Sequence, residues 1–170
     1  KCLNKSKKIS QNGNNQDNLG IVTGMIANHF QETGDLDSAM HYIKESFKIH
    51  EELGNNRQIL QNLSFMAGLY LQEGNNELAM DHIDKAMAIA KEINDDMSFN
   101  ACNFLKGLIY FMQEDYAQAM DGSIRKWYEW CTKNEKEISP LSMSIYLVCL
   151  KKLDRDVDVS KLEELIKEIP

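Results

Sequence analysis

The heptapeptide GDLDSAM at residues 34–40 recurs in related form as GNNELAM at residues 74–80 and as EDYAQAM at residues 114–120. The three copies are evenly spaced along the chain, and the similarity continues outside them. An aromatic residue precedes each copy by four positions, and a small residue precedes it by seven. A fixed period of this length is typical of a stacked repeat array. The aromatic residues are Phe30, Tyr70 and Tyr110, and the small ones are Ala27, Ala67 and Gly107.

Each period predicts a pair of helices. Apolar residues recur at helical spacing on both sides of Gly34. Gly34 can adopt the left-handed turn that ends the first helix, and Asp35 can cap the start of the second. Gly74 and Asn75 take the same two roles, and the corresponding break falls at Glu114, where Asp115 can cap the next helix.

Small residues explain how the two helices of a pair can pack closely. The shared alanines of the heptapeptides, at positions 39, 79 and 119, would face the small residues at positions 27, 67 and 107. Such a helical hairpin still exposes one apolar stripe, which the following hairpin would cover. Stacking is therefore required for stability.

These positions resemble the tetratricopeptide repeat (TPR) family, in a variety with a longer period of about 40 residues. The resemblance implies an all-α fold, a right-handed superhelix of antiparallel helical hairpins forming one solenoid domain. The predicted organisation begins with residues 1–13 as the end of a preceding repeat's second helix. Repeats 15–54, 55–94 and 95–134 follow, and residues 135–170 form a degenerate C-terminal capping hairpin.

The pattern changes after residue 120. In the third unit we expect the second helix to be rotated by one residue, so that its buried face uses Ile124, Trp127, Tyr128 and Cys131. A new helix should begin at the pair 139–140, where proline follows serine. A capping box at residues 160–163 predicts a further short helix.

Composition limits the class of function. The formal net charge is −7, with +3 in the first twenty residues and −10 in the rest of the chain. An acidic body argues against nucleic acid as a partner. No apolar run is long enough to span a membrane, and the four scattered cysteines fit reduced thiols in the cytoplasm. A chain that starts at Lys1 is expected to be a piece of a longer protein.

Motifs for catalysis are missing from the sequence, which has no nucleophile elbow, phosphate-binding loop, dinucleotide fingerprint or HExxH. His41, flanked by Asp37 and Glu45, is better explained by helix-surface pairing than by a metal site. We therefore expect no enzyme activity, no cofactor and no metal.

The resemblance to TPR proteins implies a concave groove lined by first-helix residues. The groove would be polar at one end and apolar at the other, which suits a peptide with an apolar anchor. An alternative, which the sequence favours, is that the last hairpin or a neighbouring domain packs on the apolar end. The predicted groove residues are Asn28, Gln31, Gln61, Ser64, Leu71, Gln72, Phe104, Leu108, Phe111 and Met112.

The leading functional hypothesis is a protein-interaction module that presents this groove to a peptide or a partner domain. An alternative is the ligand-sensing repeat region of a larger signalling protein, a nucleotide-binding switch ATPase or a histidine kinase. Its partner would then be another domain of the parent chain. A third hypothesis, RNA recognition, conflicts with the acidic charge.

Overall fold

The computed structural model describes residues 16–153, apart from the side chains of residues 140 and 141. Two sequence predictions, the helix within residues 1–13 and the capping box at residues 160–163, lie outside this range. The chain divides into two compact units, residues 1–96 and 97–170. The described elements of both units are helical.

The described part of the first unit, residues 16–96, forms two helical hairpins. Helices α1 (Gln16–Glu32) and α2 (Leu36–Leu53) form the first, and helices α3 (Asn56–Gln72) and α4 (Asn76–Glu92) form the second. Helix α3 packs against α2 and also touches α1, so the two hairpins share one core.

The second unit begins with α5 (Asp96–Met112). A π-helix (Gln118–Ile124) follows and continues directly into α6 (Arg125–Lys133), and the last element within the described residues is α7 (Pro140–Lys152). Ser139 caps α7 by accepting a hydrogen bond from the Ser142 backbone N–H at 3.2 Å, which confirms the predicted helix start.

The helix junctions share one backbone arrangement. Residues 34, 54, 74, 94, 114 and 135 have positive φ, and each follows a helix. At the first junction, the Gly34 N–H donates to the Gln31 carbonyl at 3.0 Å and the Asp35 N–H to the Phe30 carbonyl at 2.9 Å. This pair of bonds is a Schellman motif, and the other five junctions repeat it.

The residue after the turn caps the next helix. The Asp35 carboxylate accepts from the Ser38 N–H at 3.0 Å, and this bond holds the pKa of Asp35 below its usual value. Asn55, Asn75 and Asp115 make the same contact at their junctions, at 3.1–3.3 Å. Residues 35, 75 and 115 thus cap as predicted, and each cap typically stabilises its helix by about 1 kcal/mol.

The π-helix accounts for the change of pattern after residue 120. The Arg125 N–H donates to the Met120 carbonyl, a bond that spans five residues instead of four and inserts one residue into the helix. The next left-handed turn accordingly falls at Glu135, one position later than the regular spacing of the earlier turns would place it. The predicted rotation is confirmed. Ile124 and Cys131 are buried, and Trp127 and Tyr128 are partly buried.

Close helix contact depends on the predicted small residues. Ala39, Ala79 and Ala119 have no exposed surface, and neither do Ala27 and Ala67. Gly107 on α5 is the most constrained, because a Cβ there would overlap the Ile124 side chain and lie 3.2 Å from the Ser123 Cβ. Larger side chains at these positions would therefore push the helices of a hairpin apart.

We expect Ala79→Arg to lower the Tm by several degrees or to prevent folding. Residue 79 is fully buried in α4, and overpacking a core typically costs about 1–3 kcal/mol. Ala88→Arg, on the exposed surface of the same helix, is the matched control. Thermal melts followed by circular dichroism would test this, and equal melts for the two variants would contradict the packing.

Candidate functional site

A cleft of about 240 Å³ lies in the first unit, between α1 and α3 and above α2. Helix α1 supplies Ile21, Gly24, Met25 and Asn28, helix α2 supplies Ile43 and Ser46, and helix α3 supplies Gln58, Gln61, Asn62 and Phe65. No lining side chain, in this fully described part of the chain, carries a charge.

The rim of the cleft exposes apolar surface. Met25 is 53% exposed and Ile21 is 37% exposed, whereas Ile43 in the floor is only 2% exposed. Phe65 is partly buried on the opposite helix. A ligand that covered Met25 and Ile21 would gain hydrophobic free energy in proportion to the apolar area removed from water.

The floor of the cleft is fixed by a buried hydrogen-bond chain. Ser46 Oγ donates to the Gly20 carbonyl at 2.8 Å, and Asn62 Nδ2 donates to Ser46 Oγ at 3.1 Å. These bonds join α2 to α1 and α3, and they satisfy polar groups that would be costly to bury unpaired. The cleft therefore has a preorganised floor.

Amide side chains lie around the cleft. Asn28 Nδ2 donates to Glu32 Oε1 at 2.8 Å, which orients the amide. Within the described range, the side-chain amides of Gln58 and Gln61 have no protein hydrogen-bond partner, and Gln61 is exposed. Each amide carries both donors and an acceptor, so it can pair with the N–H and C=O groups of an extended peptide.

The predicted groove residues divide between the two units. Asn28 and Gln61 line the cleft, so the structure brings these two together. Ser64 Oγ donates to the Leu60 carbonyl at 3.0 Å within α3. Gln31 lies further along α1, and Leu71 and Gln72 lie further along α3.

The apolar residues predicted for the groove belong to the second unit. There Phe104, Leu108 and Phe111 pack against a core cluster formed by the π-helix and α7, while Met112 is 54% exposed. This packing matches the alternative that the sequence favoured for the apolar end. The buried members of the cluster are Ala119, Met120, Ile124, Ile145 and Cys149.

Several cleft residues were not among the predicted groove residues. Met25, Gln58 and Phe65 lie one helical turn or less from predicted positions, and Ser46 and Asn62 are buried polar residues. The change from glycine to serine to phenylalanine at residues 24, 64 and 104 indicated that the groove becomes more apolar along the chain, but it gave no sign of these five residues.

A buried histidine supports the first hairpin near the cleft. His50 on α2 has no exposed surface, and its ring packs on Gly20, where a Cβ would lie 2.5 Å from Nε2. Burial lowers the pKa of His50, and Asp17, with Oδ1 3.6 Å from Nδ1, opposes this shift. In the second hairpin, Leu60 stands at the position of Gly20 and Ala90 at the position of His50. The large residue is therefore on the first helix of that hairpin and the small residue on the second, the reverse of the first hairpin.

The remaining chemistry of the described residues is limited. Burial raises the pKa of the Cys149 thiol to about 11 and also raises that of Cys131. Both thiols are therefore protonated near neutral pH and are poor nucleophiles. Residues 16–153 contain no group of three metal-ligating side chains. None of the helices in that range is sufficiently long and apolar to cross a membrane.

Comparisons with known proteins identify the fold. No protein-family model matches the sequence, and no curated protein matches it. Among solved structures, the chain resembles the nearly identical TPR-like repeats of a candidate kinesin light chain from Podosopora anserina. The TM-score is 0.66 at 13% identity, over 97% of this chain and 81% of that one. The likeness shows an all-α fold of TPR-like helical hairpins, as the sequence predicted.

We expect the stability of the chain to fall as pH drops below about 6.5, the usual pKa of histidine. His50 has a lowered pKa in the folded state, so the unfolded state binds its proton first. The stability that neutral His50 contributes is complete above the pKa that histidine has in the unfolded state, and it is lost as the pH falls below that value. Urea unfolding at pH 7.5 and 5.5 measures this effect. Asp35 and Asp81, whose pKa values are lowered, stay ionised throughout the window.

The control is the double variant Gly20→Leu/His50→Ala, which copies the residues of the second hairpin. It should fold and should lose the pH dependence, whereas Gly20→Leu alone should destabilise the chain because leucine would collide with His50. An unchanged pH dependence in the double variant would exclude His50 as the cause.

Proposed function

We propose that this chain is a non-catalytic protein-interaction module that binds an extended peptide in the cleft of its first unit. In this proposal the repeats have the longer period, about 40 residues, and occupy residues 15–54, 55–94 and 95–134. Residues 135–170 act as the terminal capping hairpin.

The observation that carries the proposal is the combination of lining groups in the cleft. Apolar surface at Met25 and Ile21 lies beside the amides of Gln58 and Gln61, above a floor whose polar groups are already paired. Apolar contacts supply affinity, and amides that lack protein partners can hold a peptide backbone. A peptide offers both features in one ligand.

The charge of the site supports a protein ligand over a nucleic acid. The cleft has no lysine or arginine to contact phosphates, and the whole chain has a net charge of −7. The structural likeness to TPR-like repeats agrees, because repeats of this fold generally serve as interaction scaffolds. The buried thiols of Cys131 and Cys149 suit a reducing compartment such as the cytoplasm.

The predicted groove residues take two roles in this proposal. Asn28 and Gln61 contact the peptide in the cleft itself. A longer peptide would extend along α1 and α3 toward Gln31, Ser64, Leu71 and Gln72. Phe104, Leu108 and Phe111 support the second unit by packing, and Met112 remains at its surface.

We expect a selection from a random dodecapeptide display library to enrich binders of the chain, and Gly24→Phe to abolish their binding. A Cβ at residue 24 would lie 3.4 Å from Ser46 Oγ, so a side chain there can be accommodated and would project into the cleft. Circular dichroism and the thermal melt of the variant establish that it is folded.

Ala88→Phe is the matched control, because it adds the same ring on the exposed surface of α4, outside the cleft. Retained binding by this variant with lost binding by folded Gly24→Phe supports the proposal. Failure to enrich any peptide, or equal binding by both variants, would overturn it.

A further inference from the structure

We propose that the cleft over Gly24 takes one uncharged aromatic side chain of the bound peptide. This inference rests on the proposed function and adds the chemical class of the anchor. The basis is a comparison of equivalent positions in the first hairpin and the third, each of which lies within one compact unit.

The junction turns align the two hairpins position by position. Gly24 lies ten positions before the left-handed Gly34, and Phe104 lies ten positions before the left-handed Glu114. On the second helix of each hairpin, Ser46 lies eight positions before Gly54, and Trp127 lies eight positions before Glu135. The second helices are aligned by counting back from the turn that follows them, because the π-helix adds one residue near the start of the helix in the third hairpin.

The third hairpin fills this position with its own aromatic rings. Phe104 packs on Trp127 with ring centroids 4.5 Å apart and an interplanar angle of 40°. In the first hairpin the same two positions hold Gly24 and Ser46, so neither ring is present and both residues line the open cleft. The cleft over Gly24 thus lies at the position where the third hairpin accommodates the ring of Phe104.

The volume of the cleft suits a single ring. A cavity of about 150 Å³ is sufficient to bind benzene, and pockets for drug-sized ligands begin at about 300 Å³. The cleft, at about 240 Å³, lies between these limits. It can therefore hold one aromatic side chain of a bound peptide.

The lining selects against charge. A charged side chain in this cleft would lose hydration without meeting an opposite charge among the lining residues, which are all neutral. An aromatic ring would instead lie against Met25 and Phe65, with favourable sulfur–aromatic and ring–ring contacts. The amides of Gln58 and Gln61 would then hold the peptide groups on either side of the ring.

The test uses single amino acids with blocked ends as probes, followed by ¹H–¹⁵N NMR of the complete chain. The probes are the N-acetyl amides of phenylalanine, leucine, lysine and aspartate, each titrated into the millimolar range. Because they carry the peptide groups and one side chain, they report on the anchor position without a selected sequence.

The phenylalanine probe should shift the amide signals of Gly24, Gln61 and Phe65, at least threefold more than the leucine probe at equal concentration. The lysine and aspartate probes should leave these signals in place. The phenylalanine shifts should disappear in folded Gly24→Phe and persist in Ala88→Phe.

Equal shifts with the charged probes, or phenylalanine shifts that survive Gly24→Phe, would overturn the inference. So would the absence of any localised shift with the phenylalanine probe. The peptide selection described above separates this result from a failure of the proposed function. Peptides that bind the cleft but share no aromatic residue would leave the interaction module intact and remove only the aromatic anchor.

Discussion

The architecture depends on one constraint, a left-handed residue after the end of a helix, which at four junctions is followed directly by the cap of the next helix, at residues 35, 55, 75 and 115. This arrangement reverses the chain within a few residues and satisfies orphan N–H and C=O groups on both sides of the turn. Its repetition at a nearly constant spacing makes the helices similar in length, so small residues at equivalent positions meet across each hairpin. Glycine occupies the turn at residues 34, 54 and 74, whereas Asn94, Glu114 and Glu135 adopt the same conformation without it, at some energetic cost.

The π-helix shows how the same plan yields two different surfaces. One inserted residue turns the second helix of the third hairpin, and this rotation brings Ile124 against Gly107 and places Trp127 beside Phe104. The second unit is thereby filled with its own aromatic side chains. The first unit has no such insertion in its described helices, and glycine and serine at the equivalent positions leave a cleft. Its floor is nevertheless rigid, because Ser46 and Asn62 bond to each other and Ser46 bonds to the Gly20 carbonyl.

Most of the fold was predictable because its determinants are local. The turn at Gly34, the cap at Asp35 and the buried alanines each follow from short-range patterns, and even the rotated helix after residue 120 left a trace in the apolar spacing. The site was less predictable, since the cleft is defined by what Gly24 lacks and by a hydrogen-bond chain across three helices. Asn28 and Gln61 were identified, but the buried roles of Ser46 and Asn62 were not, because a lone polar residue on a helix gives no sign of its partner. The hypothesis of a sensor region in a larger signalling protein stays a prediction, since its catalytic motifs would lie outside these 170 residues.

The most direct measurement is hydrogen–deuterium exchange of the complete chain, with and without the strongest peptide from the selection. If the cleft is the binding site, exchange should slow in the middle turns of α1 and α3, around Gly24 and Gln61, and should be unchanged in α5, α6 and α7. Slower exchange confined to α5 around Phe104, Leu108 and Phe111 would contradict the account. It would mean that the apolar residues of the second unit, and not the cleft of the first, receive the peptide.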